Sequence, residues 1–402
     1  MRILYVTPDI SWPLAFGGDI RKWNVLQGLT AAGETDALVF VRRGRHLHDA
    51  PFRQCRRVIA VDDDGMTEAD RRRYQSTLGR GLLTLGRRWP YEYLGGDRPE
   101  LLADLTRRVR FDTYDLVWFA GARRAIHLCP LVGCPTILDG DDFEYLREWL
   151  VLRAEPWYGA KVWNYLNVVK LWTIERSLSR RFSAVLRSSA EDARRHPDRN
   201  VFVVPNGTDV PGEVERAPER RLLFVGDLGY EPNRQGLEWF IRDAWPLVRR
   251  RVPDAQLDLA GRNEEWARSR HHGRDGIEVH GFVLDLKPYY RRAAASIAPL
   301  HAGGGTRLKI LESLAHAVPV VSTHLGAFGL DIPADHGLVR EDDVERFAAA
   351  CVDVLTQPTN DAADRGRAFI AEHYDWRAIR ELVGRTARRV AGRDTAAAGG
   401  TP

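Results

Sequence analysis

The sequence predicts an α/β protein built from two doubly wound, Rossmann-like domains. Short apolar runs, of the length of buried parallel strands, alternate with helical patterns in both halves of the chain. The 402 residues are enough for two domains of ordinary size. A polar, proline-containing stretch at residues 210–220 reads as a linker. We therefore expect a first domain over residues 1–209, a second over residues 221–375, and a cleft between them.

The first half contains seven apolar runs that are typical of buried strands. They cover residues 3–6, 37–41, 58–61, 116–119, 135–138, 184–186 and 201–204. Between them we predict a helix around residues 25–29, helical structure over residues 143–183, and a helix that begins near Ala190. Pro156 divides the long helical stretch into two helices.

The second half repeats the alternation of strands and helices. The predicted strands are residues 221–225, 256–260, 277–283, 296–298 and 318–321. The predicted helices are residues 232–249, 286–295, 306–317, 344–355, 363–373 and 376–390. The tail over residues 391–402 consists of small and polar residues, and we expect it to be disordered.

The composition is that of a globular protein with nearly balanced charge. The net charge of +4, from 59 basic and 55 acidic residues, is too small to indicate a nucleic-acid partner. The four cysteines lack the spacing of a zinc site or a disulfide framework, which favours a reducing compartment. The N-terminus leads directly into a strand, and no run approaches the roughly 20 apolar residues of a membrane span. We expect a cytoplasmic protein, with peripheral membrane contact left open.

Residues 42–110 are rich in arginine, with sixteen Arg against ten acidic residues. Such a charge run usually forms a solvated face. The alternative is a surface for an anionic acceptor or an anionic membrane leaflet. The triplet at residues 62–64 has the carboxylates of a D-x-D metal motif, but we prefer a solvated loop.

Three consecutive glycines lie between a predicted strand and a predicted helix near residue 300. They are Gly303, Gly304 and Gly305. A glycine turn that leads into a helix N-terminus, here at Thr306, binds anions through its free amides and the helix dipole. Arg307 and Lys309 add positive charge, and Glu312 offers an acceptor for paired hydroxyls such as those of a ribose. The motif is neither a P-loop nor a dinucleotide fingerprint, and a plain tight turn also uses glycine.

Two further groups of candidate residues lie in the first half. Gly17 and Gly18 form another anion-friendly turn at a predicted helix start, which a plain loop would also explain. Asp139 and Asp142 follow the strand at residues 135–138, at the sheet edge where ligands bind in doubly wound folds. Crowded carboxylates there favour a raised pKa in at least one of them, and hence a role in proton transfer. The alternative is a helix cap and a solvated loop.

The stretch at residues 297–323 resembles the donor-binding motif of retaining family 4 glycosyltransferases, which have the GT-B fold. It reads GGGTR-x-K-x-x-E followed by A-x-x-x-P-V-V-x-T, and residues 204–209 are similar to the family's V-P-N-G-x-D signature. The resemblance departs from the family pattern at Gly304, where the first glutamate of the E-x7-E form would stand. It departs again at Asp227, where many relatives have arginine.

The resemblance implies a transferase that moves a sugar from a nucleotide-diphosphate donor to an acceptor hydroxyl with retention of configuration. It implies that Arg307 and Lys309 stabilise the leaving diphosphate, while Asp139 or Asp142 lies near the reacting sugar. The remaining residues that it places around the donor are Gly17, Gly18, Arg234, Arg262, His301, Gly303, Gly304, Gly305, Thr306 and Glu312. We expect no metal and no cofactor apart from the sugar nucleotide as co-substrate. We also expect the helix at residues 376–390 to return to the first domain.

The acceptor and the reaction leave alternatives open. A glycan, a lipid-linked molecule and a small natural product all fit as acceptor. A sugar-nucleotide epimerase uses the same fold, and a non-catalytic sugar-nucleotide-binding protein would explain the departures at Gly304 and Asp227. An NAD-dependent oxidoreductase is disfavoured because the dinucleotide fingerprint is missing.

Overall fold

The computed structural model divides the chain into two compact units. The first unit comprises Met1–Pro205 together with the chain from Ile379 onward, and the second comprises Asn206–Ala378. The structure describes residues 1–14, 17–63, 65–141, 143–154, 156–195, 197–302, 307–357 and 361–393. The predicted residues Asp142, Gly303, Gly304, Gly305 and Thr306 therefore lie outside the described residues, as does the tail from residue 394.

The described part of the first unit contains a seven-stranded parallel sheet. Its strands are β1 (Arg2–Pro8), β2 (Glu34–Arg42), β3 (Arg57–Asp63), β4 (Leu116–Ala120), β5 (Thr136–Asp139), β6 (Ala184–Arg187) and β7 (Val201–Val203). The strand order is β3-β2-β1-β4-β5-β6-β7, so the chain changes direction across the sheet between β1 and β4. The central strands are almost completely buried, which explains their continuous apolar character. All seven predicted strands are confirmed.

Helices cover both faces of this sheet. They are α1 (Gly17–Ala32), α2 (Glu68–Tyr74), α3 (Thr77–Gly86), α4 (Pro99–Arg108), α5 (Ala122–Leu128), α6 (Glu144–Ala154), α7 (Lys161–Glu175) and α8 (Ala190–Arg195). The predicted break near Pro156 is confirmed, because α6 ends before it and α7 begins after it. The arginine-rich stretch contains α2, α3 and α4, which the sequence analysis did not predict.

The second unit has a parallel sheet of six strands in the described chain. The strands are β8 (Arg221–Val225), β9 (Gln256–Ala260), β10 (Ile277–Gly281), β11 (Ala295–Ala298), β12 (Val320–Ser322) and β13 (Leu338–Arg340). Their order is β10-β9-β8-β11-β12-β13, the same arrangement as the first six strands of the other sheet. The prediction of two doubly wound α/β domains is therefore confirmed.

The helices of the second unit surround a core of leucine, valine and aromatic side chains. They are α9 (Glu231–Trp239), a π-helical segment (Phe240–Ala244), α10 (Trp245–Arg251), α11 (Glu265–His271), α12 (Lys287–Arg292), α13 (Leu308–Ala315), α14 (Val344–Thr356) and α15 (Asp361–His373). The final helix, α16 (Trp376–Val390), begins in the second unit and continues into the first. Within the described residues, none of the helices combines the length and apolar composition that crossing a bilayer requires.

Two predicted helix boundaries were wrong. The helix expected at residues 286–295 is shorter, because Ala295 already belongs to the buried strand β11. The helix expected from Thr306 begins at Leu308, because Arg307 has a ψ of 78°, outside the helical range. Arg307 is therefore the cap residue of α13 rather than part of its first turn.

Candidate functional site

The topology of the second sheet marks one position as the place for a ligand. β8 and β11 are neighbouring strands in the middle of the sheet. The chain continues from β8 to β9, toward one edge of the sheet, and from β11 to β12, toward the other edge. Ligands of doubly wound folds bind beyond the carboxyl ends of the strands at such a switch point. The segments that leave these two strand ends are residues 226–230 and residues 299–307. The glycine motif therefore follows directly from one of the two strands that define this position.

Lys309, in the first turn of α13, is held close to the end of β8. Its Nζ donates a hydrogen bond to Oδ1 of Asn233 at 2.9 Å and lies 4.0 Å from the ring centroid of Phe224. In the described part of the chain, no carboxylate pairs with this ammonium group. Burial, and secondly the charge of Arg307, lower the pKa of Lys309 to about 7. An anion bound beside Lys309 would raise that pKa and keep the side chain protonated.

Arg307 contributes the second positive charge of this region. It is buried, with 7% of its surface exposed, and it caps the N-terminus of α13. The first amides of a helix lack partners within the helix, and its dipole favours negative charge at this end. Two cations and a helix N-terminus at the end of β11 make a site suited to a polyanion such as a diphosphate.

Glu312 lies one turn beyond Lys309 and is partly buried. Burial raises the pKa of its carboxyl group to about 6, with Asp209 contributing in the same direction and Tyr290 opposing it. The carboxylate is therefore the main form above pH 6 and accepts hydrogen bonds there. Lys309 and Glu312, three residues apart, lie on neighbouring positions of the same helix face. The structure brings together the predicted cations and this acceptor on one helix.

The loop after β8 is tightly fitted to the loop after β9. A Cβ atom at Gly261 would lie 1.6 Å from the carbonyl oxygen of Gly226, so only glycine fits there. The carboxylate of Asp227 accepts hydrogen bonds from Gly229 N and from Asn263 Nδ2, both at 2.9 Å. Asp227 thus shapes the loop through local hydrogen bonds.

Asn233 is a site residue that the sequence analysis did not identify. Its Nδ2 donates to the carbonyl of Asp227 at 2.7 Å, while its Oδ1 accepts from Lys309. It therefore ties the loop after β8 to the lysine of α13. Asn233 follows Pro232 at the start of α9, and the sequence alone does not reveal the distant Lys309 as its partner.

The other predicted residues of the second unit make contacts of their own. Arg234 donates to Glu238 at 3.1 Å, and Arg262 stacks on Phe282 with 4.4 Å between its Cζ and the ring centroid. His301 is exposed, and its ring packs against Trp239 with 4.6 Å between the centroids. None of these described contacts reaches Lys309 or Glu312, so their role in donor binding stays a prediction.

In the first unit, Asp139 forms a buried ion pair with Arg21 of α1. Arg21 Nη2 lies 2.7 Å from Asp139 Oδ1, and both side chains are about 95% buried. Although burial alone would lower it, the Asp139 carboxylate raises the pKa of Arg21. The pair anchors the start of α1, where Gly17 and Gly18 lie, to the end of β5. Asp139 is thus held in place by an arginine, and its part in the reaction stays a prediction.

A cavity of about 260 Å³ lies next to this ion pair. Its lining includes Gly18, Arg21, Asp139, Glu175 and Arg187. Burial raises the pKa of Glu175 to about 8, and the nearby charge of Arg187 opposes this shift. Glu175 Oε1 accepts a hydrogen bond from Glu144 N at 2.6 Å. Glu175 was not predicted as a site residue, because a single glutamate at the end of an apolar helix gives no signal of burial.

Metal ligands do not cluster in the parts of the chain that the structure describes. Across residues 1–14, 17–63, 65–141 and the later described ranges, no group of three or more His, Cys, Asp or Glu side chains is arranged to hold a metal ion. Asp63, from the triplet that was considered as a D-x-D motif, is paired with Arg124. Asp64 of the same triplet lies outside the described residues.

Comparison with known proteins agrees with this arrangement. Residues 219–357 match the family model described as Glycosyl transferases group 1. A protein encoded in the cps region of Klebsiella pneumoniae, described as an uncharacterized 44.6 kDa protein, is 28% identical over 164 residues. That match covers 38% of this chain and 42% of the relative, so the chain spans about two fifths of the length of the curated relative it matches.

Two solved structures resemble the whole chain. HepE from Anabaena in complex with UDP has a TM-score of 0.65 at 14% identity, over 96% of this chain and 99% of that one. Sucrose-phosphate synthase from Thermosynechococcus elongatus has a TM-score of 0.69 at 16% identity, over 98% and 100%. The fold is therefore GT-B, and the family match over residues 219–357 supports a glycosyltransferase.

Proposed function

We propose that this protein transfers a sugar from a uridine-diphosphate sugar to an acceptor hydroxyl, with retention of configuration at the sugar. The observation that carries the proposal is the pair of cations, Arg307 and Lys309, at the switch point of the second sheet. Lys309 has a neutral amide as its hydrogen-bond partner, so a diphosphate would supply the negative charge that the described surroundings lack. The solved structure of HepE with UDP supports uridine as the base.

In this proposal the second unit holds the donor. Arg307, Lys309 and the first amides of α13 bind the diphosphate and stabilise the charge that grows on it as the sugar leaves. The Glu312 carboxylate accepts hydrogen bonds from the ribose hydroxyls. Asn233 is a positioning residue, because it orients the ammonium group of Lys309 from the other strand end.

The first unit contributes the acceptor half of the reaction. The acceptor hydroxyl attacks on the same face from which the diphosphate departs, and the leaving phosphate takes its proton. Asp139, fixed by Arg21, orients the acceptor or the reacting sugar. Burial raises the pKa of its carboxyl group, and the charge of Arg21 opposes that rise. Retention and the lack of a metal requirement belong to the proposal through the family resemblance.

Donor binding is tested with a panel of intact UDP-, GDP- and dTDP-sugars, using thermal stabilisation as the readout. We expect stabilisation by a UDP-sugar, and a loss of at least about tenfold in affinity for both Lys309→Ala and Glu312→Ala. Lys287→Ala and Glu265→Ala are matched controls on exposed positions of the same unit. Wild-type affinity in both site variants would overturn the assignment.

Turnover is followed separately with the donor that binds best. Transfer to an acceptor in the presence of EDTA, with a product whose anomeric proton coupling matches that of the donor, is the expected result. An inverted product would refute retention, and activity lost with EDTA and restored by a divalent cation would refute metal independence. Deuterium incorporation from solvent into the donor, without an acceptor, would identify an epimerase instead.

A further inference from the structure

Two helices of the first unit expose apolar stripes to solvent. On α3, Leu78, Leu82 and Leu85 are 77%, 58% and 74% exposed. Their spacing of four and three residues places them on one face of the helix. A soluble domain usually leaves such leucines scattered, so three on one helix face indicate that something covers them.

The neighbouring helix α7 repeats the pattern. Val162, Leu166 and Val169 have the same spacing and are also exposed. The opposite side of α7 faces the core, where Val168 and Leu171 are buried. Because this helix already has a buried face, its exposed stripe is a second apolar surface that folding of the unit does not need.

The two stripes belong to one side-by-side pair of helices. A Cβ atom at Gly81 of α3 would lie 2.9 Å from the indole of Trp163 of α7, so the helices pack closely at this glycine. Further along, Lys170 Nζ donates to the carbonyl of Arg87 at 2.5 Å, where α3 ends. The helices therefore run next to each other over most of their length, with both stripes accessible.

Tryptophans surround the helix pair. Trp157, in the segment before α7, is 72% exposed, and Trp149 and Trp172 are also exposed. Indole rings favour the boundary between water and the acyl region of a bilayer, because they are apolar with one polar N–H group. Apolar stripes edged by exposed tryptophans are the composition of a surface that lies in this boundary.

The charge of the helix pair indicates which kind of partner would cover the two apolar stripes. Residues 77–90 and 156–174 contain five basic and no acidic residues, although the whole chain has 59 basic and 55 acidic residues. Four of the five lie outside the core, and the fifth, Lys161, is buried. Arg88 is exposed at the end of α3, and Arg176 is exposed beyond α7, stacked on Trp172 at 4.9 Å. Arg87 is also exposed but pairs with Asp70 at 2.9 Å. A second copy of this chain would bring like charges together, whereas an anionic lipid surface complements them.

We propose that the exposed faces of α3 and α7 form a docking surface for an anionic lipid bilayer. The leucine and valine stripes enter the headgroup region, the tryptophans lie at its boundary, and the arginines contact lipid phosphates. This inference is independent of the donor site, which lies in the second unit. Because α3 lies within the arginine-rich stretch, the proposal gives that part of the stretch a role in lipid binding.

The test is sedimentation of the full chain with vesicles of phosphatidylcholine, alone or with about one third phosphatidylglycerol. We expect at least about tenfold tighter binding to the anionic vesicles, weakened by added salt. The triple variant Leu78→Ser/Leu82→Ser/Leu85→Ser should lose at least about tenfold, because its side chains meet lipid but not the core. Leu284→Ser is the matched control, since Leu284 of the second unit is 94% exposed.

Other outcomes would overturn the proposal. Vesicle binding that is absent in the wild type, or unchanged in the triple variant, excludes this surface as a lipid contact. Concentration-dependent dimers in analytical ultracentrifugation that the triple variant abolishes would assign the stripes to a second copy instead. Far-UV circular dichroism and thermal unfolding of each variant establish that lost binding does not reflect lost folding.

Discussion

Replacing Lys309 by methionine separates the contribution of its charge to binding from its effect on stability. Methionine keeps an apolar stem against Phe224 but removes the ammonium group. The pKa of Lys309 is about 7 in the folded protein, compared with about 10.4 in an unfolded chain. At 1.36 kcal/mol per pH unit, this difference corresponds to at most about 4.6 kcal/mol of destabilisation at neutral pH. Partial exposure of Lys309 and its hydrogen bond to Asn233 reduce this destabilisation to roughly 1–2 kcal/mol.

The sign of this effect follows from proton binding. Between pH 7 and about 10 the unfolded chain holds a proton on Lys309 that the folded protein releases, so wild-type stability rises with pH in this range. Lys309→Met lacks this dependence. Without ligand we expect it to be more stable than the wild type at pH 7, by roughly 2–8 °C in the melting temperature of the second unit. The difference should shrink toward pH 10.

The assay is thermal unfolding at pH 7 and pH 10, with and without an intact UDP-sugar, combined with calorimetric titration of the donor. We expect the methionine variant to bind the donor at least about tenfold more weakly. Lys309→Arg is the control, because arginine stays charged at both pH values. A methionine variant that is less stable than the wild type at pH 7, and binds the donor equally well, would refute the reasoning.

The remaining predictions concern two carboxylates. Donor affinity of the wild type should fall as the pH drops through about 6, because protonation of Glu312 removes an acceptor. In Glu312→Gln, calorimetry between pH 5 and pH 6.5, below the pKa of Lys309, should give a nearly constant affinity, and an unchanged pH profile would exclude this role. Asp139→Asn should destabilise the first unit by about 3–5 kcal/mol in urea unfolding, because it removes the nearest counter-charge of the buried Arg21 and leaves Asp141 at 3.9 Å as the other carboxylate of its ion pairs. Arg21→Met/Asp139→Leu should recover part of that loss, whereas a cost below about 1 kcal/mol in the single variant would contradict a buried ion pair.

Most strands of the two sheets were predictable because the central ones are short apolar runs buried on both faces. Residues 116–119 and 221–225 illustrate this, since turn or polar residues bound each run and almost every side chain is buried. The edge strand β13 is only three residues long and partly exposed, and it was not predicted. The prediction that the glycine motif forms an anion-binding loop concerns residues outside those that the structure describes. The strand order shows that β11, which precedes the motif in the sequence, is one of the two strands at the switch point.

Other features depend on contacts between distant residues, which the sequence does not display. The helices of the arginine-rich stretch were not predicted, because charged side chains interrupt their apolar periodicity. In addition, α3 buries only Leu83 and a few small residues, so its buried face is not apparent in the sequence. Asn233 and Lys309 are 76 residues apart, and only the folded sheet brings them together. The pKa of Asp139 is raised, as expected for one of the carboxylates at the end of β5, and burial is the main cause. Its ion pair with Arg21 joins residues that are 118 positions apart and was not predicted.

The buried ammonium group of Lys309 lowers the stability of the folded protein without ligand, and this cost supports the binding of a negatively charged ligand. A lysine packed between Phe224, Asn233 and Arg307 raises the free energy of the folded state, because burial and a like charge both disfavour its protonated form. A methionine or leucine would fill the same space without this cost. Selection for stability alone would therefore not retain the lysine, whereas a ligand that carries its own negative charge reverses both unfavourable effects when it binds. The expected rise in apo stability and the expected loss of donor affinity in Lys309→Met thus have one physical cause, and a variant that showed only one of them would separate the lysine from the anion site.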